Sequence, residues 1–169
     1  MAETEHRDLI VADAGPLIHL DELGCLDLLE DFARVWVPNA VWREVGAHRP
    51  AALASPVLEH RHAQPVDPRV VTLALTFTLH QGEREALALL ASQREALFIT
   101  DDAAARLAAQ TITHRVHGTV GLVIRAPRRG QRNRDEVIRL PQAIPERTTL
   151  YIKPALLEEV ISRVESDQG

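Results

Sequence analysis

The apolar positions fall into short blocks of two alternating kinds. Leu9-Ile10-Val11-Ala12 is a continuous apolar run closed by Asp13, the pattern of a strand buried on both faces. Gly15-Pro16 follows; Pro16 suits a first helical turn, Leu17, Leu20 and Leu23 recur at helical spacing, and Gly24 suits a left-handed helix end. A short helix is predicted over Leu26 to Phe32, and a strand over Val35-Trp36-Val37 that Pro38 stops. Asn39 then caps a helix that turns Val41, Trp42 and Val45 inward and carries Glu44.

From Gly46 to Val66 the signals weaken, and Pro50, Pro56 and Pro65 mark a variable surface segment. Asp67-Pro68 opens a helix. Val71, Leu73, Leu75, Phe77 and Leu79 alternate as a strand would, but Val70, Leu73 and Phe77 also fit a helical period, and helix is the reading adopted. Glu83 to Gln93 is rich in helix formers. Next come a strand over Ala96 to Thr100, a helix over Asp102 to Ala109, a strand over Thr113 to Val116 and a helix over Thr119 to Ala126. A final helix, Lys153 to Val164, is introduced by Pro154.

Strands alternating with helices predict an α/β fold, a central mainly parallel sheet covered on both faces in three α/β/α layers. A chain of 169 residues fits one domain over 1–169, with 1–8 as a disordered tail and 127–169 as a C-terminal extension packed on or near it. Ligands of such sheets bind beyond the carboxyl ends of the strands.

Composition narrows the class. A net charge of −5 argues against a protein that coats nucleic acid by charge alone, although Arg125, Arg128, Arg129, Arg132, Arg134 and Arg139 crowd one stretch against Asp135 and Glu136. That stretch reads either as a solvated loop and helix end or as an anion-binding patch. Cys25, the single cysteine, suits a reducing compartment and reads as a small buried hydrophobe. No segment has the apolar length of a membrane span, and Met1 to Asp8 lacks the apolar core of a signal peptide, so a cytoplasmic location is expected.

The chemistry lies in acids at strand ends. Asp13 closes the first strand, Asp101 and Asp102 close a later one, and Glu83 and Glu85 flank Arg84 at the start of the helix leading into it. Adjacent carboxylates repel and add nothing to a core, although each alone also suits a cap or a first helical turn. Gathered on one rim they call for a cation, and an all-oxygen ligand set suits Mg²⁺ or Mn²⁺. His60 and His62 alternate on one strand face, half of a metal site at most, and read more simply as surface.

The blocks "VADAGPLIHLDELGCLDLL", "VPNAVWREV", "GEREALALLAS", "FITDDAAARLA" and "HGTVGLVIRAPRRG", in this order, resemble the PIN-domain superfamily, nearest to a VapC-like prokaryotic branch; with "TTLYIKPALLEEVI" the likeness spans Leu9 to Val164. The resemblance implies a metal-dependent ribonuclease acting on RNA, the toxin of a toxin–antitoxin pair with a small antitoxin partner, and a homodimer. It implies Asp13, Glu44, Glu85 and Asp102 as catalytic acids. The metal would be shared among Asp13, Glu85 and Asp102, with Glu83 and Asp101 as supporting acids, and Arg125, Arg128, Arg129 and Arg132 would hold RNA phosphates. The chain departs from the pattern in having Ala14-Gly15 after the first Asp, where relatives carry Ser or Thr, and Ala103-Ala104 after the acidic pair. Those departures keep a second reading open, a PIN fold that acts as a weakly active or inactive binding module.

Overall fold

The computed structural model describes residues 8–62, 67–113 and 115–166. The expected tail falls outside them except for Asp8, as do Pro65 in the weakly patterned segment and His114 in the strand predicted over Thr113 to Val116. Five strands form one sheet in the order β3-β2-β1-β4-β5: β1 Leu9–Ala12, β2 Arg34–Pro38, β3 Leu58–Arg61, β4 Leu97–Ile99 and β5 Val116–His117. Every pairing is parallel, with Val11 level with Trp36 on one side and Phe98 on the other. The α-helices are α1 Ala14–Leu23, α2 Asn39–His48, α3 Pro68–Thr76, α4 Gln81–Ser92, α5 Ala103–Ala109, α6 Thr119–Arg125, α7 Arg134–Arg147 and α8 Pro154–Ser166.

Alternation along the central strands divides the interior into two cores. Ile10 and Ala12 of β1 and Leu97 and Ile99 of β4 pack with Leu17 and Leu20 of α1, Val41 and Val45 of α2, Leu122 of α6, and Val137 and Ile144 of α7. Val11 and Phe98 point the other way, onto Val70 of α3, Leu87 and Leu90 of α4, and Ala105 and Ala108 of α5. The result is the expected three-layer sandwich. Gly24 ends α1 at φ +69°, as its position predicts, and donates its N–H to the carbonyls of Leu20 and Asp21. Leu26–Asp31 is a 3₁₀ helix, and the ambiguous alternation over Val71 to Leu79 resolves as α3, capped by Asp67.

Three elements depart from the pattern. β3 lies in the segment read as irregular: it is an edge strand bearing Glu59, His60 and Arg61, so its apolar signal is faint. β5 falls at Val116–His117, later than the predicted strand. α7 runs through a stretch read as solvated loop and helix end, with Pro141 and Pro145 inside it. Asn133 caps α7, its side chain accepting from the Glu136 N–H while Glu136 accepts from the Asn133 N–H. Burial of Val137, Pro141 and Ile144 against α1 and α6 offsets the two amide donors the prolines remove.

Candidate active site

Five chain segments meet beyond the carboxyl ends of β1 and β4. Asp13 extends the ladder by donating its N–H to the Ile99 carbonyl at 2.9 Å. Its Oδ1 accepts from the Ala14 N–H at 2.8 Å, capping α1, and its Oδ2 accepts the Thr100 hydroxyl at 2.8 Å. Thr100 is fully buried, and its Oγ1 in turn accepts the Asp102 N–H at 3.1 Å. Asp102 caps α5 by accepting from the Ala105 N–H at 2.7 Å. One hydroxyl therefore ties the first-strand acid to the backbone of the fourth-strand acid. The sequence marks Thr100 only as the end of a strand.

Glu83 reaches the same place from α4. Its Oε2 accepts the His80 N–H at 2.7 Å, closing a capping box. Together with Asp13, Asp101, Asp102 and Glu44 of α2 it lines a pocket of about 410 Å³, walled further by His19, His80, Thr149, Leu150 and Tyr151. The last three precede α8 and were not anticipated as part of the site.

Asp101 stands in the same wall with its oxygens already engaged. Oδ2 accepts from His19 Nδ1 at 2.7 Å and from the Thr119 hydroxyl at 2.6 Å, and Oδ1 accepts from the Thr119 N–H at 2.8 Å, at the start of α6. Close approach of backbone to carboxylate requires glycine at 118: a Cβ there would sit 2.7 Å from Asp101 Oδ1 and 2.9 Å from Arg106 Nη2.

The surroundings set the charge states apart. Burial pushes the Asp13 carboxyl up to about 6; the Glu83 and Glu44 charges add to the rise, while the bonds from Thr100 and Ala14 oppose it. Burial also raises Glu83, against the bond from the His80 backbone and with help from the Asp102 charge. For Asp101 burial acts upward as well, but the bonds from His19 and Thr119 prevail and hold its carboxyl below the usual range. The pocket thus contains acids that are costly to ionise beside one kept ionised by its donors.

A family model described as a PIN domain matches residues 9–166. The chain belongs to the PIN-domain family. Searches of curated proteins and of solved structures return no significant match. PIN domains are in general nucleases, act on RNA and typically use divalent metals. The acid pocket lies where a parallel α/β sheet binds its ligands.

Within this PIN domain, Glu85 does not line the pocket as the resemblance implies. Its Oε2 accepts the Ala40 N–H at 2.7 Å and its Oε1 the side-chain amide of Gln81 at 3.1 Å, so it caps α2 from the neighbouring helix. Glu83 and Glu85 are two residues apart on one helix and necessarily point in different directions; Glu83 is the one that lines the pocket.

The arginine run is also elsewhere. α6 starts beside Asp101 at the carboxyl rim and runs back along the sheet, so Arg125 lies at the opposite, amino rim. There Arg125 Nη2 and Arg129 Nε meet Asp31 Oδ2 at 2.6 and 2.8 Å, just before β2 begins, and Arg132 Nη2 meets Asp27 Oδ1 at 2.7 Å. Arg125 also covers the Phe32 ring at 4.3 Å. These side chains bind 125–132 to the 3₁₀ helix, and Arg128 lies in a groove between α6 and α8. None of the four lines the acid pocket.

His60 and His62 enter an aromatic stack: His60 lies on Trp42 at 4.9 Å between centroids, and His62 lies 4.9 Å from His60. Among the described residues no three His, Cys, Asp or Glu side chains form a ready-made ligand cluster. Asp13, Glu83 and Asp102 nevertheless fit Mg²⁺ or Mn²⁺ by their chemistry. The donors are all oxygen, and Mg²⁺ is usually held by one or two carboxylates with several waters retained.

Proposed function

We propose that this PIN domain is a metal-dependent endoribonuclease and the toxin of a toxin–antitoxin pair. The carrying observation is the convergence of Asp13, Glu44, Glu83 and Asp102 on one pocket in which the buried Asp13 carboxyl is raised to about 6. A carboxyl made costly to ionise chiefly by burial, and further by the Glu83 and Glu44 charges, suits a site that functions with a cation bound.

In this reading Asp13, Glu83 and Asp102 hold the metal and Glu44 adds charge from the exposed wall. Bound Mg²⁺ or Mn²⁺ supplies Lewis acidity toward water and positive charge opposite the phosphate. Thr100 fixes the Asp13 carboxylate and the turn carrying Asp102. Asp101 acts one step back, holding the start of α6 and the His19 ring against the pocket. Glu85, assigned to catalysis by the resemblance, supports α2 instead. The chain acts as one unit, with the segment after α7 contributing to the site.

The proposal extends to a small antitoxin protein and a homodimer as partners; Val71 and Leu75 on α3, 47% and 76% exposed, offer apolar surface for such contacts. It also places the protein in the cytoplasm, in keeping with the single buried cysteine. No helix among the described residues is long and apolar enough to cross a membrane.

A second reading, a PIN fold serving as a binding module, is favoured by the lack of a ready-made ligand cluster among the described residues. The deciding experiment is cleavage of single-stranded RNA by the purified protein in Mn²⁺, with EDTA and with Asp13→Asn as controls. Metal-dependent cleavage lost in the variant supports the nuclease. Cleavage that persists equally in EDTA or in Asp13→Asn rejects it, and no cleavage in Mn²⁺ favours the module.

A further inference from the structure

The acid pocket must accept a polyanion, yet the arginine run lies at the other end of the sheet. What the pocket offers besides carboxylates is Tyr151, 81% exposed and part of its wall. It is the only tyrosine in the chain.

Tyr151 is presented by a segment with little freedom. Leu150 and Ile152, on either side, both pack against the core shared with α1 and α7, an in–out–in alternation that sends the ring outward. The Leu150 N–H bonds to the Thr148 hydroxyl at 3.1 Å, and Thr148 bonds back to the Ile144 carbonyl of α7 at 2.8 Å. Thr149 donates its N–H to Glu22 of α1 at 2.9 Å. The segment is thus anchored to α1, to α7 and to the core, while its aromatic side chain faces solvent beside the acids. An aromatic face held in place costs little further ordering when a flat group settles on it.

We propose that Tyr151 is a base-stacking platform, taking the base of an unpaired ribonucleotide whose phosphate lies over the acids. The inference rests on the nuclease reading and adds to it a residue that binds the substrate's base. Stacking tolerates any base, because every base has a π face, whereas a base within a duplex has both faces covered. It also supplies affinity without positive charge, and no lysine or arginine is among the described residues that line the pocket.

The test uses the full chain, a short fluorescein-labelled single-stranded RNA and the same RNA annealed to its complement, with Ca²⁺ in place of Mn²⁺ to suppress cleavage. Anisotropy should show Tyr151→Ala binding the single strand roughly 5- to 150-fold more weakly, and Tyr151→Phe staying within about twofold of wild type. The duplex should bind weakly and alike to all three proteins. Because Tyr151 is exposed, the variants should melt as wild type does, which separates lost stacking from lost fold. Wild-type single-strand affinity in Tyr151→Ala overturns the inference, as does an equal loss in Tyr151→Phe, which would assign the effect to the phenol hydroxyl. If wild type cleaves RNA in Mn²⁺ and Tyr151→Ala matches it in binding and in kcat/KM, stacking falls and the nuclease stands. If wild type neither binds nor cleaves RNA, both fall.

Discussion

Thr100 donates its hydroxyl to Asp13 at 2.8 Å, joining two strand ends 87 residues apart in the chain. Relatives with Ser or Thr immediately after the first Asp have a hydroxyl close in sequence. Here Ala14 fills that position, and the hydroxyl that holds Asp13 comes from across the sheet. Thr100→Val should leave Asp13 Oδ2 and the Asp102 N–H without partners in a buried setting, lowering stability by about 1–3 kcal/mol. RNA cleavage should fall with it, and Thr100→Ser should recover most of both. Urea unfolding and an RNA cleavage assay on the three proteins provide the check.

Asp13 predicts a pH dependence. Its folded-state carboxyl stands at about 6 against an unfolded value near 3.8, so between those values the native state holds the extra proton. Its contribution to stability therefore declines as pH rises through that window and stays low at neutral pH, a loss of at most about 3 kcal/mol. Asp13→Asn removes the titration. Subtracting variant from wild-type unfolding free energy in EDTA, from pH 4 to pH 7.5, should give a difference that falls with pH. A flat difference would mean that Asp13 is not destabilised by its surroundings.

Metal should act in the opposite sense. A divalent cation bound by the ionised acids stabilises the native state by mass action. Millimolar Mn²⁺ should raise the Tm of wild type at pH 7 and do much less for Asp13→Asn and Glu83→Gln. Melting curves with Mn²⁺ and with EDTA test this without any substrate.

The two glutamates of α4 should separate cleanly. Glu83→Gln should abolish cleavage. Glu85→Gln should leave most of it and cost at most about 1 kcal/mol, as expected for a weakened cap. Equal loss of activity in both at unchanged Tm would reject the division made by the geometry.

The arginines are expected to show up in stability rather than in binding. Asp31→Ala removes the shared partner of Arg125 and Arg129 and should lower stability by about 1–3 kcal/mol, as charge-assisted bonds do. The salt dependence of RNA binding should be nearly unchanged. A markedly steeper or shallower salt slope would return these side chains to the RNA interface.

The sheet and most helices were legible because buried parallel strands have unbroken apolar blocks and Gly24 and Pro154 mark helix boundaries. Asn39 opens α2 but does not cap it, its side-chain oxygen lying 2.9 Å from His60 Nε2 while Glu85 accepts the Ala40 N–H. β3 was hidden because an edge strand exposes polar side chains, and α7 because two prolines, Pro141 and Pro145, interrupt the helical signal and only burial against α1 and α6 offsets them. That Asp13 and Asp102 would share one rim was legible, since strand-end position follows from the strands themselves. The choice between Glu83 and Glu85 was not legible, because it depends on how α4 is rotated about its axis against α2. Where the arginines lie was not legible, because charge density in sequence does not say which end of the sheet a segment reaches. Thr100 and Tyr151 have no local signal, as each acquires its place only through distant contacts.

The pocket wall draws on residues from Asp13 to Tyr151, spaced along nearly the whole path of the polypeptide. During synthesis the first acid emerges long before the last wall residue, and the strands between them pair only through crossovers that take time to close. A growing chain carrying Asp13, Glu44 and even Glu83 still lacks β4, and with it the Thr100 hydroxyl that fixes the first acid. For the proposed ribonuclease the consequence is that the acid pocket is complete only once almost all of the chain has been made, so the site would be assembled after most of its own message has been read.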